Sequence, residues 1–218
     1  FIGLMAFGLT FVVIAGEIDI SVASTLAVSV VTFAQLFANG VNVWLAALLG
    51  LVVATALGLV NGLLVGILNL PSLAITLGTL AAYQGLAFVI LSGEGVAEFP
   101  TRYTDLGGGY VWSNQLPIAL IVLLVVALVL GVLLHATRFG RYLFAIGSNT
   151  EAARLSGVNT TRMIYIAYIL SAVCASFVGI LLASRIGIGN ATQAEGWELQ
   201  AIASSVIGGT SLFGAVGS

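Results

Sequence analysis

Apolar and small residues run along this chain in long blocks separated by short polar breaks. The blocks fall at about 1–16, 20–38, 43–68, 72–92, 115–135 and 162–184, with a seventh, shorter or partly re-entrant, at about 198–213. A helix rises about 1.5 Å per residue, so roughly 20 apolar residues cover a hydrocarbon layer about 30 Å thick. The blocks do not alternate with period two, as a membrane barrel would require, so helices are predicted. "ANGVN" (38–42) reads as a tight turn, and "NLPS" (69–72) ends one helix and starts the next, with Pro71 near the first turn. The longest polar stretch, 91–117, holds Glu94, Glu98, Arg102 and Asp105. The expected fold is all-α: a polytopic transmembrane helix bundle of about seven segments. The chain opens inside an apolar run without a start Met, so it reads as one transmembrane domain over 1–218, truncated at both ends.

Composition sharpens this picture. The 218 residues are 60% hydrophobic and 6% charged, with a mean hydropathy of +1.19; soluble domains carry roughly 25% charged residues. Membrane lipid is therefore the expected surrounding. Every basic residue is Arg and none is Lys, which excludes a P-loop lysine and Schiff-base chemistry. There is no basic patch, so nucleic acid is not an expected partner. Cys174, the single cysteine, permits no internal disulfide and no cysteine metal cluster, and reads as helix-packing filler. His135 ends an apolar run and reads as an interfacial side chain, with a proton relay as the weaker alternative. No catalytic residues, metal site or cofactor are expected on this chain.

Arginine placement sets the orientation. The connection 136–162 carries Arg138, Arg141, Arg154 and Arg162, whereas 93–114 carries only Arg102. The positive-inside rule puts the first in the cytoplasm and the second outside. Alternation then brings the first segment down toward the cytoplasm.

There it meets Gly16-Glu17-Ile18-Asp19-Ile20-Ser21. An ionised carboxylate at a membrane helix centre costs about 2.5–3.5 kcal/mol on insertion scales. Two persist more easily where the helix is broken and faces protein or water. Gly16 supplies the break, Ser21 and Ser24 can cap the half-helices, and Asp19 can accept freed backbone N–H groups. Three roles stay open for Asp19: a structural cap, a lining of the solute pathway, or a proton-coupling pair with Glu17. Small residues recur every fourth position at Ala54, Gly58, Gly62 and Gly66, and at Ala167, Ser171, Ala175, Gly179 and Ala183; such ladders let helices approach closely in lipid. Asn61 lies within the first ladder and is expected at a helix contact. Gln35, Thr76, Thr79, Gln84 and Ser171 are expected to bond between helices. Glu195 and Glu198 are placed to complement the N-terminus of the last helix, on the outer side, where a partner protein can meet them.

In the cytoplasmic connection, "SNTEAARLSG" (148–157) predicts a short helix on the membrane's inner face. Ser148 or Asn149 caps it, Glu151 lies in its first turn and Gly157 closes it. Glu151-Ala152-Ala153, Arg154 and Gly157 resemble the coupling-loop motif of ABC importer permeases. The run "GRYLFAIGSNTEAARLSGVN" resembles the branch that imports monosaccharides such as ribose, xylose and galactose, and autoinducer-2. "GEIDIS" (16–21), 58–90 and 198–218 match the same branch, in order. The resemblance implies a multi-pass subunit of the bacterial inner membrane. It implies pairing with a second permease copy or paralogue, two cytoplasmic ABC ATPase subunits that use the ATP, and a periplasmic or extracellular sugar-binding protein. It also implies that 151–157 enters a groove on the ATPase, with Arg154 pairing an acid there. The chain departs from the family's pattern at Glu17, where Gly is usual, at Ala23 and Ala215, and after Pro71. Glu17 is therefore expected to be wetter and more dispensable than Asp19. A proton-coupled secondary transporter using Glu17 and Asp19, and a purely structural membrane subunit, are the alternatives.

Overall fold

The computed structural model describes residues 1–92, 94–112 and 115–217; Gly93, Ser113, Asn114 and Ser218, which fall in the predicted outer connection and at the end of the chain, lie outside them. The helices are α1 (Ile2–Ile14), α2 (Val22–Ala38), α3 (Val43–Leu68), α4 (Ser72–Leu91), α5 (Thr101–Gly108), α6 (Ile118–Ala136), α7 (Arg138–Ser148), α8 (Thr150–Leu155), α9 (Thr160–Ile186) and α10 (Trp197–Ile207). Two minimal antiparallel pairs join β1 (Val96–Ala97) to β4 (Ile188–Gly189) and β2 (Tyr110–Val111) to β3 (Leu116–Pro117). The fold is a helical membrane bundle. Among the described residues α3, α4, α6 and α9 are long and apolar enough to cross a membrane, and α1 and α2 are shorter apolar helices.

α9 is the central post. In its most apolar stretch 67% of residues are buried, against 11% for α6, whose Leu124 and Leu128 face outward. Small residues let its neighbours reach it. A Cβ added to Gly58 would lie 2.5 Å from Ala172 Cβ, and one on Gly62 would lie 2.5 Å from Tyr165 Cα. Gly66 lies over Thr161, whose hydroxyl donates to the Gly66 carbonyl at 3.0 Å. The α9 ladder faces elsewhere: Ser171 and Cys174 lie against Gly8 of α1, and Gly179 lies against Leu26 and Val30 of α2. The two ladders thus do not mesh with each other; each seats a different neighbour.

Segment ends follow glycine. Gly16 (φ +82°), Gly40, Gly157 (φ +84°) and Gly209 stand in the left-handed region just past α1, α2, α8 and α10. At the first stop the Glu17 N–H donates to the Val12 carbonyl and the Gly16 N–H to that of Val13, the paired bonds of a Schellman ending. The last apolar block is helical only to Ile207; the chain then turns, and the Ala215 N–H donates to the Ile14 carbonyl at 3.1 Å. The segment is therefore folded back onto the end of α1.

The polar stretch 91–117 is more structured than its composition suggests. It carries α5, whose Tyr103 is fully buried and donates to the Ile180 carbonyl at 2.5 Å. Ser184 ties the same pair together: its hydroxyl donates to the Tyr103 carbonyl and its oxygen accepts from the Gly107 N–H. Phe33 and Phe99 pack on the Tyr103 ring and stack on each other, and Phe37 packs on Phe99. This aromatic cap buries enough apolar area to order a segment that is otherwise polar.

Candidate functional site

The broken helix is the most polar place inside the bundle. Between α1 and α2 the chain leaves helical geometry, freeing backbone groups that lipid cannot satisfy. Side chains from two other helices satisfy those at Ile18. Its N–H donates to Ser72 Oγ at 3.1 Å, and its carbonyl accepts from Thr76 Oγ1 and Tyr168 OH, each at 3.2 Å. Ser72 and Thr76 stand one turn apart on α4, and Tyr168 comes from α9.

Asp19 is 3% exposed. Its Oδ1 accepts the Ser21 N–H at 3.0 Å and the Ser21 hydroxyl at 2.7 Å, and its Oδ2 accepts the Ser171 hydroxyl at 3.1 Å. Asn61 Nδ2 donates to Ser21 Oγ at 2.7 Å, and the Tyr83 hydroxyl reaches Asn61 Oδ1 at 3.1 Å. The chain of bonds Tyr83–Asn61–Ser21–Asp19–Ser171 thereby joins α4, α3, the break and α9. All of the Asp19 donors are neutral; the one ion pair among the described residues is elsewhere, on α8. At the start of α2 it is Asp19 that accepts a backbone N–H, that of Ser21. Ser21 makes no side-chain cap, and the Ser24 hydroxyl donates back to the Ser21 carbonyl at 2.9 Å.

Glu17 is partly exposed and stands apart from this network. It lines a cavity of about 250 Å³ with Val65, Gly66, Asn69, Thr150 and Thr160. Thr150 begins α8, so this carboxylate opens toward the end of the bundle that carries the predicted handle.

α8 is built as predicted, but shorter. Asn149 Oδ1 accepts the Ala152 N–H at 2.9 Å, and Ser148 belongs to α7. Gly157 closes the helix, with the Val158 N–H on the Ala153 carbonyl and the Gly157 N–H on that of Arg154. Ala153 is the buried side chain of the turn; Glu151, Ala152, Arg154 and Gly157 are exposed, and Leu155 is 80% exposed. Arg154 Nη2 pairs with Glu151 Oε1 at 2.9 Å across one turn. That pair is solvated and contributes little to stability.

A junction that the residue pattern did not point to connects handle and break. Gly147, in the last turn of α7, lies against the Ile14 carbonyl, the Ala215 N–H and the backbones of Gly16 and Gly214. No side chain fits there, so α7, the end of α1 and the returning terminal segment meet backbone to backbone. Gly147, Tyr168, Ser72 and Tyr83 were not singled out as site residues. The available signal was polar spacing on apolar helices: Ser72 with Thr76, and Tyr168 with Ser171. Thr76, Gln84, Asn61 and Ser171 do bond between elements, whereas Thr79 bonds within α4. His135 bonds to the Gly131 carbonyl of its own helix and is exposed.

A helical membrane bundle with a polar break and a short solvated helix between two spans is the frame in which the comparisons fall. The chain belongs to the family described as branched-chain amino acid transport system / permease component, matched over residues 1–218. It is 38% identical to the ribose import permease protein of Bacillus subtilis, over 99% of this chain and 67% of that protein. It is 37% identical to the D-allose transport system permease protein of Escherichia coli, over 98% of this chain and 65% of the relative. The autoinducer 2 import system permease protein of Yersinia enterocolitica is also 37% identical, over 98% of this chain and 59% of its own length. The chain thus spans about two thirds of the length of these relatives. No solved structure matches it.

Proposed function

We propose that this chain is the membrane-spanning translocation part of an ATP-driven importer for a monosaccharide or related furanosyl solute, in a bacterial inner membrane. Separate ABC ATPase subunits power it through the 148–157 handle. A second permease copy or paralogue completes the pathway, and an extracellular or periplasmic sugar-binding protein delivers the solute. The observation that carries the reading is α8: a short helix capped at both ends, exposed on Glu151, Arg154 and Leu155, in the Arg-rich connection. Its first-turn acid, its Arg154 and its Leu155 all stand free of the bundle, so a soluble partner can reach them together. Family membership and the sugar-importer relatives support the same reading. Without lysine, the chain has no nucleotide engine of P-loop type of its own.

The test is co-purification of the full-length permease with its P-loop ATPase. Gly157→Arg puts a side chain at a left-handed position, at a cost of roughly 1–2 kcal/mol, and Glu151→Lys reverses the charge in the first turn. Each variant is expected to reach the membrane and to lose at least tenfold in retained ATPase. Normal retention in both would remove α8 from the interface.

A proton-coupled transporter is the second reading. The buried Asp19, held by neutral donors only, favours it. Uptake abolished by an uncoupler while cellular ATP is held constant is its signature.

A further inference from the structure

A groove of about 410 Å³ lies between α6, α7 and α9, and none of its lining residues belongs to the break or to the handle. One wall is a single face of α9. Arg162, Ile166, Ile169 and Val173 fall on one side of that helix, at steps of four, three and four residues. Leu133 of α6, with Phe139 and Tyr142 of α7, forms the rest. Only Arg162 and Tyr142 among its side chains carry hydrogen-bond donors, and no acid lines it.

The frame holds this space open. The Thr137 hydroxyl donates to the Leu133 carbonyl at 2.5 Å, and its oxygen accepts the Gly140 N–H at 3.5 Å, so α7 leaves α6 at a fixed corner. A Cβ on Gly140 would strike the Leu134 carbonyl. The Phe139 ring stacks on Phe11, with centroids 6.0 Å apart, which holds it to the wall.

Depth and charge together identify the occupant. From Arg162 to Val173 the helix rises about 16 Å, close to half of a hydrocarbon layer about 30 Å thick. Beyond Val173 the same face carries Phe177 and Ile180, which pack on the core. The groove is therefore one leaflet deep: too short for a spanning helix, and matched to a lipid chain. Its polar end lies at the connection 136–162, which the arginine asymmetry puts at the inner face. There Arg138, Arg141 and Arg162 are exposed, and their guanidinium groups have no hydrogen-bond or ion-pair partner among the described residues. The acid of that connection, Glu151, is already paired with Arg154. An arginine fork matches phosphate oxygens, and basic pockets between spanning helices on the cytoplasmic side suit anionic headgroups. A zwitterionic headgroup brings its own ammonium group, which repels these arginines.

We infer that this groove is a binding site for an anionic phospholipid of the inner leaflet. One acyl chain lies against Ile166, Ile169 and Val173, and the phosphate sits on Arg162 beside the Tyr142 hydroxyl. The inference does not depend on which solute the protein carries.

The experiment uses the full-length permease with its ATPases, stripped of lipid in detergent and then given phosphatidylglycerol or phosphatidylcholine. Native mass spectrometry is expected to show phosphatidylglycerol retained about fivefold over phosphatidylcholine, the worth of one arginine at an anionic lipid surface. Tm should rise with phosphatidylglycerol and not with phosphatidylcholine. Arg162→Gln should abolish both differences, whereas Arg102→Gln, which removes an exposed arginine of α5, should leave them intact. Ile169→Trp fills the groove, keeps every arginine, and should also lose the lipid. A phosphatidylglycerol with a diazirine midway along one chain should mark α9 between Arg162 and Val173. Equal retention of the two lipids, wild-type retention in Arg162→Gln or Ile169→Trp, the same loss in Arg102→Gln, or an unmarked α9 would each overturn the site. An unmarked α9 would also show that another protein segment or a second copy covers the groove.

Discussion

At the scale of single residues, two acids three and five positions past the end of α1 have become unlike each other. Asp19 accepts three hydrogen bonds and is almost completely buried; Glu17 borders a cavity. Asparagine at 19 offers one carbonyl oxygen in place of two carboxylate oxygens, and turns an amide donor toward a hydroxyl or the Ser21 N–H. An unsatisfied buried donor costs about 1–3 kcal/mol. Asp19→Asn is therefore expected to lower sugar uptake or assembled complex at least fivefold, whereas Glu17→Gln should change either less than twofold. Equal or reversed losses, measured at matched membrane expression, would contradict the division of roles. Asp19 makes two kinds of contact. Its bond to the Ser21 N–H is what a cap makes, and its bond to Ser171 is what a helix-to-helix tie makes.

At the scale of elements, close approach replaces apolar driving force. Lipid tails are as apolar as leucine, so helices in the membrane gain by van der Waals contact and hydrogen bonds. Gly62 shows the limit of that approach, with the Tyr165 backbone where its Cβ would be. Gly62→Leu should push α3 off α9 and pull Asn61 from Ser21, with overpacking of about 1–3 kcal/mol. The expected result is a clear fall in Tm of the detergent-solubilised protein. Gly78→Leu, on the open face of α4 with nothing within 4 Å, serves as the control and should leave Tm unchanged or raised, since leucine favours a helix over glycine by about 1 kcal/mol. Similar drops in both would mean that α3 and α9 do not set the stability.

At the scale of the whole molecule, the handle and the break share a joint. α8 follows α7 directly, and Gly147 near the end of α7 rests on the Ile14 carbonyl and beside Gly16 and Gly214. α7 thus joins α8 to the base of the broken segment, through the backbone contact at Gly147 and through Phe139, Leu143 and Ile146, which pack in one cluster with Phe11 and Ile14. The joint has its own test. Gly147→Ala places a methyl group on backbone atoms of two other segments. It is expected to lower Tm and to reduce sugar taken up per ATP hydrolysed severalfold in reconstituted vesicles, while Gly3→Ala, with open space around it, leaves the ratio unchanged. An unaltered ratio in Gly147→Ala would show that motion is transmitted elsewhere.

The amino-acid sequence by itself determined the solvent, the helices and their stops. Apolar run length sets which segments can lie in lipid, and a glycine past a helix end sets where the turn can go left-handed; both are local properties, as α3, the Gly16 break and the Asn149–Gly157 turn demonstrate. Tertiary structure alone decided which polar side chain meets which. Ser72, Tyr83 and Tyr168 satisfy the break or join its network only because α4 and α9 pass beside it, 54 to 150 residues away along the chain for the bonds to Ile18. Tyr103 turned a polar connection into a packed cap for the same reason. In lipid every freed backbone group must find a partner, and the partner is chosen by which helices come close, a choice that no single segment encodes.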